Sequence, residues 1–203
     1  IIHMPRYQIE DVFGVNAEYA KLLIPSVIIY RQLLELTGAE MVWIPGIRLC
    51  DGIAADYAES IKCLKFTHNF EDDIMTASRN MAKRYRCNTS HGLCIENYVM
   101  TLFDAMKRYH GLGRRERLLL RIASVIHDCG KFVSLRDSSK CAYNIIMSTE
   151  IIGLSHVERE IIANVVSYNL APFDYNKDSM LSAKLTAMLR LANAMDRSHR
   201  QKL

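Results

Sequence analysis

Six consecutive segments of this chain, 70–86, 90–109, 114–128, 138–148, 155–168 and 179–197, carry apolar residues three and four positions apart. That spacing places them on one face of an α-helix. Strand signals nearly vanish over the same stretch. Short breakers such as His110-Gly-Leu-Gly113 and Ala171-Pro172 separate the segments. Helices this short must bury their apolar stripes against one another, so the second part of the chain is expected to be a mainly α bundle of about six helices.

The first 60 residues read differently. Residues 4–14 mix apolar and acidic side chains at helical spacing. Asn16 is a candidate N-cap of a helix that Pro25 interrupts or restarts, and Gly38 fits its C-cap. Glu40-Met-Val-Trp-Ile-Pro-Gly46 reads as a short buried strand with Trp43 in the core, and residues 51–58 start another helix. Helix, strand, glycine turn and helix make an α/β pattern. The composition shifts near residues 58–66 without a flexible linker. Two domains are expected, 1–60 and 61–203.

A chain of 203 residues, 50% apolar and 24% charged, excludes a disordered tail, a fibre or a coiled-coil rod. No run approaches the roughly 18 apolar residues of a membrane span; Leu22–Tyr30 is too short and contains a proline. Six scattered cysteines form no CxxC pair, and no signal peptide precedes them, so reduced thiols and a cytoplasmic protein are expected. A net charge of +4 does not point to DNA but suits a polyanionic partner. With no initiator methionine and with both ends breaking off mid-pattern, the chain reads as a piece of a longer protein.

Three positions carry the chemistry. His91 opens an amphipathic helix, His127-Asp128 ends the apolar run Leu118–Ile126, and Asp196 closes the helix containing Leu185–Met195. Each alone has an ordinary explanation: a cap or surface histidine, a helix terminus with a local hydrogen bond, or a surface ion pair with Arg197. Together they place two imidazoles and two carboxylates on separate helices of one bundle. Such ligands suit Zn, Mn, Fe or Mg and can converge in a bundle core. A metal with open positions activates water or polarises a phosphoryl oxygen, and Lys131 is placed to hold a phosphate as a point charge. Cys129 is expected to be a packed thiol rather than a ligand.

The order His91, His127-Asp128, Asp196 resembles the HD superfamily of metal-dependent phosphohydrolase folds. The likeness is closer to the Ppx/GppA family of exopolyphosphatases and guanosine pentaphosphate phosphohydrolases. Ile126-His-Asp-Cys-Gly-Lys131, Cys141-Ala-Tyr-Asn-Ile145, Glu150–Glu160 and Leu189–His199 follow its helical region. Leu22-Leu-Ile-Pro-Ser26, Gly38–Gly46 and Leu49-Cys-Asp-Gly52 resemble the end of its phosphatase domain. The resemblance implies an HD-type helical bundle preceded by the tail of an actin-like (RNase H-like) domain, whose glycine loops and catalytic glutamate lie upstream. It also implies a hydrolase of phosphoanhydrides, acting on inorganic polyphosphate or guanosine pentaphosphate, with Mg²⁺ in the phosphatase domain. One divalent metal in the HD site and a homodimer are implied in the same way.

Departures limit the metal site to one ion. The family's His-Lys-His-Ser-Ala-Tyr stretch is Ser138-Ser-Lys-Cys-Ala-Tyr143 here, and its Tyr-His is Tyr168-Asn169. Leu49-Cys50-Asp51-Gly52 lacks the family's arginine. Two basic clusters, Arg114-Arg-Glu-Arg117 with Lys107, Arg108 and Arg121, and Lys83-Arg-Tyr-Arg86, offer phosphate contacts, with Arg114 and Arg115 the leading candidates. The competing reading is solvated helix faces beside acidic neighbours. Three functional readings stand: a polyphosphate-binding or regulatory helical domain of a phosphoanhydride hydrolase, an autonomous single-metal HD phosphohydrolase acting on nucleotides, and a non-catalytic binding or dimerisation module.

Overall fold

The computed structural model describes residues 4–65, 67–174 and 179–200. The chain divides into two compact units at Lys65. In the first unit, Gly14 closes α1 (Arg6–Phe13) at φ 60°, in the left-handed region that glycine tolerates. The Asn16 side chain then accepts the Tyr19 N–H at 2.9 Å and starts α2 (Ala17–Thr37). Pro25 does not interrupt this helix. Its missing N–H costs one intrahelical bond, and the turns on either side carry the helix through. Gly38 ends α2 at φ 66°, and α3 (Leu49–Ser60) follows.

The strand expected at 40–46 does not form; no strand occurs among the described residues. Trp43 is 82% exposed and Ile44 79%, so Trp43 is not a core residue. A strand persists only when a neighbour takes its backbone hydrogen bonds, and the described residues supply none. Ile9 and Ala20 alone are buried among the described residues of this unit. No single helix is long and apolar enough to cross a membrane; α1 and α2 pass that test only as a pair, bent by 96°.

The second unit follows the apolar periodicity closely. Its helices are α4 (Phe70–Arg84), α5 (Thr89–Ala105), α6 (Lys107–His110), α7 (Arg114–Ile126), α8 (Ser138–Ser148), α9 (His156–Ser167) and α10 (Met180–Met195). Asn69, Asn88, Ser155 and Ser179 cap α4, α5, α9 and α10 through their side chains. Segment 90–109, expected as one helix, breaks at Met106 into α5 and α6.

Helix α7 is central. Its residues Leu118, Leu119, Leu120, Ile122, Ala123, Val125 and Ile126 are all buried, because α4, α5, α9 and α10 surround it. A stretch as apolar as Leu118–Leu120 with Ile122–Ile126 has no stable place at a surface. Truncating one of its core leucines to alanine costs roughly 2–5 kcal/mol. This buried helix carries His127 and Asp128 on its C-terminal end, inside the bundle.

Candidate functional site

Each helix delivers its site residue by a local rule. Asn88 accepts the His91 N–H at 3.1 Å, so the cap of α5 fixes the backbone from which His91 projects. Helix α7 ends at Ile126, His127 is its C-cap, and a 3-10 turn follows at Cys129–Phe132. The break lets the adjacent His127 and Asp128 side chains both turn inward. Asp196 is the C-cap of α10.

Gly130 makes the turn possible by close approach rather than by a special φ. A Cβ there would lie 1.9 Å from the Ser138 backbone oxygen and 2.7 Å from the Ala142 nitrogen. The turn behind Asp128 therefore lies flat against α8, and only glycine fits.

His91, His127, Asp128 and Asp196 are all buried. The first three each offer a ligand atom, and these atoms lie within 4.8 Å of one another. Asp196 joins through His91: its Oδ2 is 2.8 Å from His91 Nδ1. The other ring nitrogen of His91 is 3.2 Å from Asn193 Oδ1.

His127 carries the most telling feature. Its Nδ1 is 2.6 Å from the Ser124 carbonyl oxygen, so Nδ1 holds the proton and donates. Nε2 then bears the lone pair. It is buried and makes no hydrogen bond, although Asp128 Oδ1 is only 3.3 Å away. Burial pushes the His127 pKa down and keeps the ring neutral. A buried acceptor without a partner costs roughly 1–3 kcal/mol. A backbone carbonyl on one nitrogen and an open lone pair on the other is how a metal-binding imidazole is held.

Burial works against the Asp128 carboxylate. The Lys131 ammonium, 2.7 Å from Oδ1, outweighs it and holds the Asp128 pKa below the ordinary value. The site thus presents one anionic oxygen and neutral imidazole nitrogen, a donor set that fits a divalent cation of the Zn, Mn or Fe type. Cys129 is fully buried in the core, and burial raises its pKa to about 12, so it is a packed thiol as expected.

A family model described as Ppx/GppA phosphatase, domain III, matches residues 75–203, a span that contains all four site residues. The chain belongs to the Ppx/GppA phosphatase family. Among curated proteins it is similar to one from Photobacterium profundum named guanosine-5'-triphosphate,3'-diphosphate pyrophosphatase, at 20% identity over 187 residues. That match covers 90% of this chain and 36% of the relative, so the chain spans about a third of the relative's length.

As a Ppx/GppA domain, the bundle brings only some of the candidate residues together. Lys131 stands beside Asp128. Arg114 and Arg115 open α7, about 20 Å from His127 by helix rise. Arg115 donates to both carboxylate oxygens of Glu158 and to the Gly153 carbonyl, and Arg114 pairs with Glu71. Arg117 likewise pairs with Asp104, and Arg121 with the buried Glu96. The basic stretch around α7 thus faces acidic neighbours.

Asn169, where the family resemblance gives a histidine, is buried with both side-chain amide atoms unpaired. A cavity of about 340 Å³ opens between α4 and α5, with Arg79, Lys83, Asn88, Gly92 and Glu96 in its wall. Gly92 directly follows His91.

Residues that sequence reasoning missed are Ser124, Asn193 and His199. Ser124 acts through its backbone, which has no side-chain signature. Asn193, Asp196 and His199 recur every third residue. That spacing stacks side chains on one side of a helix end and was the available signal.

Proposed function

We propose that this chain is the metal-binding helical part of a Ppx/GppA-type phosphoanhydride hydrolase, in which it serves in polyphosphate binding or regulation. The observation that supports this most is the unpartnered, buried Nε2 of His127, beside His91 and Asp128. His91, His127 and Asp128 would hold one divalent cation, with Asp196 orienting or joining them. Such an ion supplies positive charge for a phosphoryl oxygen. The chain's own residues do the rest. Ser124 fixes the His127 tautomer, Asp196 orients His91, and Lys131 balances Asp128 until a phosphate arrives.

In this reading residues 1–60 are the tail of an actin-like phosphatase domain, and residues 61–203 form the HD-type domain. The exposed apolar side chains of α2, Tyr19, Leu22, Ile29 and Leu36 among them, support this, because a surface so apolar ordinarily packs against more protein. The reaction would be hydrolysis of inorganic polyphosphate or guanosine pentaphosphate, with Mg²⁺ and the water-activating carboxylate in the phosphatase domain. Free cysteines fit a cytoplasmic protein, and the homodimer is what the family resemblance implies.

A second reading makes the bundle a nucleotide phosphohydrolase. The cavity beside Gly92 supports it, with a volume at the low end of small-molecule sites. One experiment separates the two. The 203-residue chain, supplied with Mn²⁺, is given polyphosphate, guanosine pentaphosphate and a nucleotide panel. The first reading expects no phosphate release from any of them. Nucleotide turnover that vanishes in Asp128→Ala would establish the second.

A further inference from the structure

We infer that His199 is a positioning residue of the proposed metal centre, holding the His91 imidazole by its face while Asp196 holds it by its edge. The inference rests on the metal reading above. The two rings are stacked, with centroids 3.7 Å apart and planes inclined by 18°. His91 has no exposed surface, whereas His199 is exposed, so the His199 ring forms the outer layer over the ligand.

Its backbone is arranged for this task. His199 adopts φ 54°, one of three described non-glycine residues with positive φ. An L residue enters that region at a cost, and such conformations gather at sites where they place a side chain. The His199 N–H donates to the Asp196 carbonyl at 2.9 Å. One short turn after α10 therefore carries both the carboxylate on His91 Nδ1 and the ring on the His91 face.

The arrangement has a consequence for metal binding. An ion on His91 withdraws electron density from its ring and leaves it partly cationic. The π face of the His199 ring stacked on it would stabilise that charge, as aromatic faces stabilise cations. It also stops the His91 ring from rotating out of line, as outer partners of metal-ligating histidines do.

The test uses the whole chain, Co²⁺ as the metal, and its visible absorption as the readout. His199→Ala should weaken Co²⁺ binding by about tenfold or more and shift the Co²⁺ bands, leaving the metal-free melting temperature unchanged. His199→Phe keeps a stacking face without a ring nitrogen and should restore affinity to within about threefold of wild type. Wild-type affinity in His199→Ala overturns the inference while leaving the metal reading intact. A His199→Phe variant as weak as alanine also overturns it, since His199 would then act through a nitrogen. A wild-type chain that binds no Co²⁺ removes the metal reading and this inference together.

Discussion

His91 and Asp196 are 105 residues apart in the chain and 2.8 Å apart in the fold, both inside the bundle. The contact joins the start of α5 to the end of α10, so the assembled site reports that the whole helical unit has formed. Asp196→Asn keeps the shape and removes the charge. Metal affinity measured by calorimetry should fall about 10–100-fold, with the helical circular dichroism signal retained. Unchanged affinity would show that Asp196 neither binds nor orients.

Gly130→Ala tests the geometry of the turn. Its Cβ would meet backbone atoms of Ser138 and Ala142, which have no flexible end to move aside. Urea unfolding should show a loss of about 3 kcal/mol, at the upper end of ordinary overpacking. The displaced turn should also lose metal affinity, because Asp128 and Lys131 flank it.

The cysteines should divide by reactivity. Burial raises the Cys87 pKa to about 11 and that of Cys129 to about 12, so neither forms thiolate at neutral pH. Cys50 and Cys63 are exposed. A thiol reagent at pH 8 should modify Cys50 and Cys63 first and Cys129 only on unfolding. Rapid modification of Cys129 in the folded chain would contradict the packing of the turn.

Acid stability should depend on Glu158. The Arg115 guanidinium, then the Ser155 N–H and hydroxyl, pull its pKa down to about 2 from an ordinary 4.5. A carboxylate with a depressed folded value stabilises above the unfolded value and loses that contribution as pH falls from 4.5 toward 2. The pair is partly exposed, so solvent screening limits it to about 0.5–1 kcal/mol. Glu158→Gln should lower the urea midpoint at pH 7 and narrow the gap from wild type at pH 2.5.

Much of the bundle was legible because burial and helical period coincide in α4, α5 and α7 to α10. The strand at 40–46 failed for the opposite reason. Its apolar run is real, but pairing is a tertiary fact, and Trp43 and Ile44 find no partner strand among the described residues. His91, His127, Asp128 and Asp196 stand out by residue type and order, yet only the fold shows which nitrogen of His127 is open. Arg114 and Arg115 look like phosphate contacts because sequence shows charge and not partners; Glu71 and Glu158 come from α4 and α9. His199 is hidden in the sequence by the basic tail around it, of which residues 201 and 202 lie outside the described residues.

The proposed centre requires His91, His127 and Asp128 to hold one divalent ion. Metal content of the chain purified without chelators, beside Asp128→Ala, tests it most directly. About one equivalent of a transition metal is expected in the wild type, lost in the variant while the helical signal persists. No metal in either protein, with both folded, would contradict it.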